Sequence, residues 1–564
     1  MITGRDRVVA VLIGVVATGV VSVAASRQGI VRDEAYYMKA GELHARYYED
    51  ALRGLLPDPL SDRAIAPFWS YVSEHPPLLP TLYGLSWRAL HRCTCAADSS
   101  LHPEGARLTS GRHATLSLLS EVAAFRLPTA LFFGWLCALV YLFFVDAIGS
   151  RWGAAVAALL MFAQPRAFFH AQTASFDLPV ATLWVATTYA YWRALASAGW
   201  RPAMVTGVLF GLCLATKLQS FLLPVALTLH WAWLWARGRS GAANAALRSL
   251  VMMASIAPAM LFALWPWLWH DTLPRLGAYL RFHLEHVHYN FEYFGRNFNQ
   301  PPYPWHEPLG MLVFTAPVVL LVLAATGVLL LARPSARWID DGRSTRALWL
   351  IAGAVPVVVF FAGREPIYGE TKHWLATMPF LALAAGYAFD RLRSRLSTEL
   401  SLESRPWPEL AMSTGLMLVV FAPAAAETVH AHPYGLSHYN ALAGGPPGGA
   451  DLGMNRQFWG YSLKGLLPWL NATLPSGAIL YPHDWNHDAW LLYERQGELR
   501  RDLIETGAIA GSDAALVIHE KHFNEFDYRI WEEYGHVQPA QVLTLDGVPL
   551  VSVYLRKNQT PQER

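Results

Sequence analysis

Residues 77–91 read PLLPTLYGLSWRALH. The stretch is apolar, yet it falls short of the roughly 20 residues that a membrane-spanning helix needs. Either it crosses a membrane as a short span, or it lies along the surface. The choice decides the fold, because adding or removing one crossing moves every later loop to the other side. Charge settles it, since short cytoplasmic loops collect Arg and Lys. With 77–91 on the surface, one side of the membrane gathers Arg5, Arg7, Arg151, Arg193, Arg201, Arg237, Arg239, Arg248, Arg333, Arg337, Arg343, Arg346, Arg391, Arg393 and Arg395. With 77–91 crossing, that set splits, leaving Arg5 and Arg7 alone on one side. The surface reading is therefore adopted.

Outward from this segment, apolar runs recur at 8–26, 123–146, 152–170, 177–196, 203–218, 220–236, 249–269, 309–332, 347–362, 373–390 and 408–426. They predict about eleven spans. The run after Arg5 and Arg7 could be a signal peptide, but it is long for a signal core and more spans follow, so an uncleaved first helix is preferred. Composition agrees: of 564 residues, 54% are hydrophobic and 15% charged, against about 25% charged in soluble domains. A net charge of +2 gives no reason to expect nucleic acid. The four Cys make no disulfide framework. Cys137 and Cys213 lie within spans, and the Cys93-x-Cys95 pair lacks the second pair a zinc site would need.

The expected class is an all-α polytopic membrane protein carrying a C-terminal α/β domain. Residues 1–426 form the transmembrane module, with external loops at 27–122 and 270–308. The second loop is rich in Tyr, Phe, His and Asn, which suits the membrane interface. Residues 427–564 form a water-exposed domain outside the cytoplasm. It opens with a Gly/Pro stretch at Gly444–Gly449, and strand-like runs follow at Ala478–Tyr481, Ala515–His519 and Val548–Leu555, separated by helical stretches.

Ionisable residues gather at the external ends of the spans. Asp33-Glu34 follows the first span, Glu74-His75-Pro76-Pro77-Leu78 leads into the surface segment, and Arg126-Leu127-Pro128 opens the second span. Asp177 opens the fourth, Lys217 closes the fifth, and Arg364, Glu365, Lys372 and His373 share the loop before the tenth. Each has a plain structural explanation as a helix cap or an interfacial anchor. Together they form what a lipid-phosphate substrate needs: cations for a phosphate leaving group and a carboxylate to deprotonate an incoming hydroxyl.

The ordered set Asp33-Glu34, Pro76-Pro77-Leu78 and Arg126-Leu127-Pro128, spread over residues 8–390, resembles the protein O-mannosyltransferase and lipid A aminoarabinose transferase superfamily (glycosyltransferase families 39 and 83), in a bacterial branch. Its members are GT-C-fold glycosyltransferases that use polyprenyl-phosphate sugars. The resemblance implies that Asp33 is the catalytic base, with Glu34 beside it and Asp177 as the fallback carboxylate. It implies that Arg126 binds the donor phosphate, with His75, Lys217, Arg364, Lys372 and His373 as further candidates. Glu74-His75 matches the position where the aminoarabinose enzymes have Glu-Lys, there holding zinc and phosphate; His replaces Lys here. His432 to Asn440 is similar to segments in bacterial members. Phe458-Trp459-Gly460-Tyr461 faintly resembles the Trp-Trp-Asp-Tyr-Gly motif of oligosaccharyltransferases, without its central Asp.

The implied function is inverting transfer of a sugar from a polyprenyl-phosphate donor to a hydroxyl on a glycan, lipid or protein acceptor, outside the bacterial inner membrane. No cofactor is required. His283-x-x-His286-x-His288, with Glu74 added by resemblance, is the candidate ligand set for a divalent metal. A transporter or flippase, or a non-catalytic scaffold, is the alternative, although no internal repeat supports transport. On this topology the N-terminus is cytoplasmic. A reporter active only outside the cytoplasm, fused after Arg564, should be active; a cytoplasmic signal would overturn the span count.

Overall fold

The computed structural model describes residues 2–91, 118–333, 342–367 and 369–557. Cys93 and Cys95 fall outside the described residues. The helices of the bundle are α1 (Gly4–Ala24), α2 (Arg32–Leu52), α3 (Asp62–Trp69), α4 (Leu78–Leu90), α5 (Glu121–Ile148), α6 (Arg151–Phe162), α7 (Pro165–His170), α8 (Asp177–Ala194) and α9 (Trp200–Leu214). They continue with α10 (Leu222–Ala236), α11 (Ser240–Leu264), α12 (Thr272–Leu284), α13 (Glu307–Thr315), α14 (Val318–Ala332), α15 (Thr345–Val358), α16 (Met378–Glu399) and α17 (Pro406–Ala431). Each expected span falls on one of these helices or on a consecutive pair. By length and composition alone, five helical segments among the described residues can cross a membrane: α1, α5, α11, α17 and Thr345–Ala362, which extends α15. α6, α9 and α14 are shorter and apolar. The protein is an integral membrane protein.

The segment that decided the topology is α4, whose 13 residues extend only about 20 Å at 1.5 Å per residue, less than the hydrocarbon core. It lies against the polar helix α2 and the start of α5. Gly41 and Gly84 meet at the α2–α4 contact so closely that a Cβ on Gly84 would sit 1.8 Å from the Gly41 carbonyl oxygen. This glycine pair lets α4 dock on α2, and α2 carries Asp33.

α1 begins at a capping box, in which Thr3 and Asp6 satisfy each other's backbone N–H groups. α5 ends at Gly149, whose left-handed φ of 86° suits a helix stop. Within the second external loop, the hairpin of β1 (Phe291–Tyr293) and β2 (Arg296–Phe298) follows α12.

The tail adds α18 (Gly445–Asp451), α19 (Leu467–Thr473), α20 (His487–Gln496) and α21 (Asn524–Tyr534) around a five-stranded sheet. Its strands are β3 (Ile479–Pro482), β4 (Ile504–Glu505), β5 (Ala514–Ile518), β6 (Gln541–Leu545) and β7 (Val548–Leu555), in the order β4-β3-β5-β7-β6. β3 runs parallel to β4 and β5, while β7 is antiparallel to β5 and β6. Asp546-Gly547, both at positive φ, make the tight β6–β7 turn. β5 is buried along its whole length, which fits the central position. Its apolar face shares a core with Ile30, Met38, Leu79 and Phe125 of the first external loop and α5, so the tail is packed onto the very loop that holds Asp33.

Candidate active site

Between the bundle and the tail lies a cavity of about 1130 Å³. Its walls come from distant parts of the chain: the start of α2, the Glu74-His75 turn, the start of α8, the α9–α10 connection, α12, the segment before α16, and the tail. Asp33, Glu74, His75, Asp177, Lys217, His283, His286, His288, Lys372 and His373 all line it. Loops separated by hundreds of residues thus bring most of the sequence candidates to one place.

Asp33 and Glu34 part company at the start of α2, because consecutive helical residues point about 100° apart. Asp33 faces the cavity, where its Oδ2 accepts a hydrogen bond from the indole Nε1 of Trp459 at 2.8 Å. The Arg32 backbone N–H donates to the Trp459 carbonyl at 2.9 Å. Trp459 thereby grips α2 at two consecutive residues. Its own φ of 77° is unusual for a bulky side chain, a strain that functional sites often store. Glu34 points inward and is fully buried.

Arg126 lies apart from these residues. The resemblance implied a phosphate ligand, but Arg126 is 2% exposed and does not line the cavity. Its Nε and Nη2 form a bidentate pair with Glu34 at 2.7 and 2.8 Å. Nη1 donates to the carbonyls of Ala25 and Gln28, both at 2.9 Å, and Nη2 donates to that of Gly29 at 2.8 Å. A guanidinium has five N–H donors, and all five are engaged. Glu34 also accepts from the backbone N–H groups of Ala174 at 2.6 Å and Val31 at 3.2 Å. The pair is a structural bolt between α5, the α1–α2 connection and the loop before α8.

The cavity's cations are Lys217, Lys372 and Arg32. Lys217 Nζ donates to Asp177 Oδ1 at 2.6 Å, so Asp177 is engaged by a lysine. Arg32 pairs with Asp484 of the tail. Lys372 Nζ lies 4.1 Å from the centre of the Trp459 ring, a cation–π contact that brings it beside Asp33. Burial lowers its ammonium to about 8, against the raising pull of Asp33 and Asp177.

His75 is packed among the rings of Phe176, His283 and Tyr37 at 5.1, 5.4 and 5.7 Å. Burial first, then His283 and Lys217, push its imidazole well below the usual range. His373 lines the cavity with its ring 5.6 Å from that of Phe360. Arg364 is exposed and stays off the cavity wall, because its loop turns it outward.

The proposed metal ligands line the cavity without converging. His283 Nε2 meets the Glu74 backbone oxygen at 2.9 Å, His286 Nδ1 meets the Val287 oxygen at 2.7 Å, and His288 Nδ1 meets the Tyr303 hydroxyl at 2.7 Å. Among the described residues no group of three or more His, Cys, Asp or Glu is placed to hold a metal ion. Sequence reasoning passed over Asp484, Glu520, His522 and Phe523 of the tail, which line the cavity, and assigned Trp459 no role. The faint aromatic motif at Phe458–Tyr461 was the one sequence signal near them.

A family model described as dolichyl-phosphate-mannose-protein mannosyltransferase matches residues 69–273. In three dimensions the chain is similar to ArnT from Cupriavidus metallidurans in the apo state, with a TM-score of 0.50 and 13% identity, over 98% of this chain and 99% of that one. The chain has the GT-C fold. The apo oligosaccharyltransferase of Archaeoglobus fulgidus is likewise similar, with a TM-score of 0.50 and 11% identity, over 94% of this chain and 71% of that one. No curated protein matches the GT-C chain in sequence.

Removing one partner of a buried ion pair costs about 3–5 kcal/mol. Arg126→Ala should therefore lower the thermal unfolding temperature of the purified protein sharply. A variant that unfolds like the wild type but binds polyprenyl phosphate poorly would return Arg126 to the site.

Proposed function

We propose that the protein is an inverting glycosyltransferase, moving a sugar from a polyprenyl-phosphate donor to an acceptor hydroxyl on the extracytoplasmic face of the bacterial inner membrane. The observation that carries this reading is the placement of Asp33 in one cavity with Lys217 and Lys372. The cavity wall also includes Leu218, Phe221 and Leu222 at the start of α10 and Val359 and Phe360 after α15. Phe221 on this wall and Val358 next to it are exposed apolar residues. A lipid tail would lie there with its phosphate drawn toward the lysines. The matched dolichyl-phosphate-mannose family model supports the same donor class.

The chemistry follows from these groups. Asp33 takes the proton of the acceptor hydroxyl, whose oxygen attacks the anomeric carbon from the face opposite the phosphate. The bond from anomeric carbon to phosphate oxygen breaks, and its electron pair leaves on the lipid phosphate. Lys217 and Lys372 offset the developing negative charge. The indole N–H of Trp459 orients the carboxylate. One displacement inverts the anomeric configuration, and the step needs neither a covalent enzyme intermediate nor a nucleotide. Arg126 and Glu34 act only by holding α2 in place. The tail domain and the C-terminus stand outside the cytoplasm in this reading, and the N-terminus inside.

A positioned base contributes roughly 10²–10⁴-fold. Asp33→Asn keeps the shape of the side chain and should fold and bind polyprenyl phosphate normally, while transfer from a radiolabelled lipid-linked sugar falls by about that factor. Near-wild-type transfer by Asp33→Asn, with loss in Asp177→Asn, would move the base to Asp177. Full transfer by both would remove both carboxylates from the role of base, and absence of transfer by the wild type would remove the enzyme reading.

A further inference from the structure

The tail contains a second cavity, of about 460 Å³, outside the carboxyl ends of the parallel strands β3 and β4. Such crevices are the customary ligand sites of parallel sheets, and the volume falls within the range of small-molecule pockets. Its wall carries Tyr481, Trp485 and Trp490 together with Glu494, Glu505 and His487. The geometry points to a carbohydrate-binding subsite that takes a neutral or amino-bearing oligosaccharide, the distal part of the acceptor.

Three observations select that chemistry. Aromatic rings give flat apolar faces suited to the C–H face of a sugar: Trp485 meets the rings of Trp490 and Tyr493 at 5.3 and 5.7 Å, which fixes its orientation. Carboxylates accept hydroxyl protons. Glu494 is held in place by the Trp490 indole N–H at 2.7 Å, and Glu505 pairs with His487. No Lys or Arg lines the pocket, so two carboxylates would meet an anionic glycan or a phosphate without compensation.

The pocket's position ties it to the first cavity. Asp484 lines the large cavity and Trp485, the next residue, lines the pocket. The turn that carries them is clamped to the first external loop. Arg32 pairs with Asp484, Asn486 Nδ2 donates to the Arg32 carbonyl at 2.9 Å, and Asp488 accepts from Lys39 at 3.2 Å and Tyr71 at 3.1 Å. The turn that carries Trp485 is thus the same turn that presents Asp484 to the cavity Asp33 faces. Naming the pocket's occupant the acceptor rests on the transfer reading above; its binding to the pocket does not.

The test uses the full-length protein in lipid nanodiscs, without donor, on a printed array of bacterial envelope oligosaccharides that includes neutral, amino-bearing and anionic chains. The expected result is binding of neutral or amino-bearing oligosaccharides, weakened about tenfold or more by Trp485→Ala and by Glu505→Gln, and retained by Asp33→Asn. Glu505→Gln preserves side-chain size, so it decides the matter if Trp485→Ala proves unstable. No bound oligosaccharide, a preference for anionic chains, or wild-type binding by Glu505→Gln and any folded Trp485→Ala would overturn the assignment. Binding in this pocket together with transfer-competent Asp33→Asn would leave the subsite standing and remove the catalytic reading instead.

Discussion

The buried pair of Arg126 and Glu34 is the interaction on which the rest of this architecture depends. Two charges taken out of water are costly unless every donor and acceptor is matched, and here the five guanidinium donors meet a bidentate carboxylate and three backbone carbonyls. The carbonyls of Ala25, Gln28 and Gly29 belong to the turn that leads α1 out of the membrane into α2. Fixing that turn fixes where α2 begins, and so which way Asp33 faces. Ala174, held by the same carboxylate, leads into Asp177. One buried node thus sets the position of Asp33 and Asp177, two of the carboxylates that line the cavity.

The cavity itself is a balance of opposed charges. Lys217 is matched by Asp177, and Arg32 by Asp484. Lys372 lies between the fields of Asp33 and Asp177 over the Trp459 ring. Such pairing lets several cations occupy one partly dry space without expelling each other. A phosphate arriving there competes with carboxylates already in place, so its binding involves an exchange of partners more than the filling of an empty cationic hole. The tail takes part directly: Trp459 and Asp484 both reach back to the first residues of α2. The domain that follows the last span therefore completes the cavity begun by the first.

Much of this was legible from the chain. Spans announce themselves through local apolar length, and the short α4 was legible as a helix too brief to cross like the others. The three strand-like runs foreseen in the tail correspond to β3, β5 and β7, whereas β4, two residues long, and β6, half-exposed, gave no comparable signal. Asp33, Asp177, Lys217 and Lys372, which share one cavity, stood out in the sequence because ionisable residues at the ends of apolar helices are rare. Arg126 stood out for the same reason, yet it lies off the cavity wall. Its partners are mostly backbone carbonyls, which no residue name reveals. Trp459, Asp484 and Glu520 lay beyond reach because their nearness to α2 is a product of tertiary packing across more than four hundred residues.

The most direct test of the central claim is a structure of the protein with bound polyprenyl phosphate. The expected result places the phosphate within hydrogen-bonding distance of the Lys217 or Lys372 ammonium, in the cavity that Asp33 faces, with the lipid tail along the wall formed by Phe221 and Phe360. A phosphate bound away from both lysines, or a lipid threaded along a continuous path through the bundle, would contradict it.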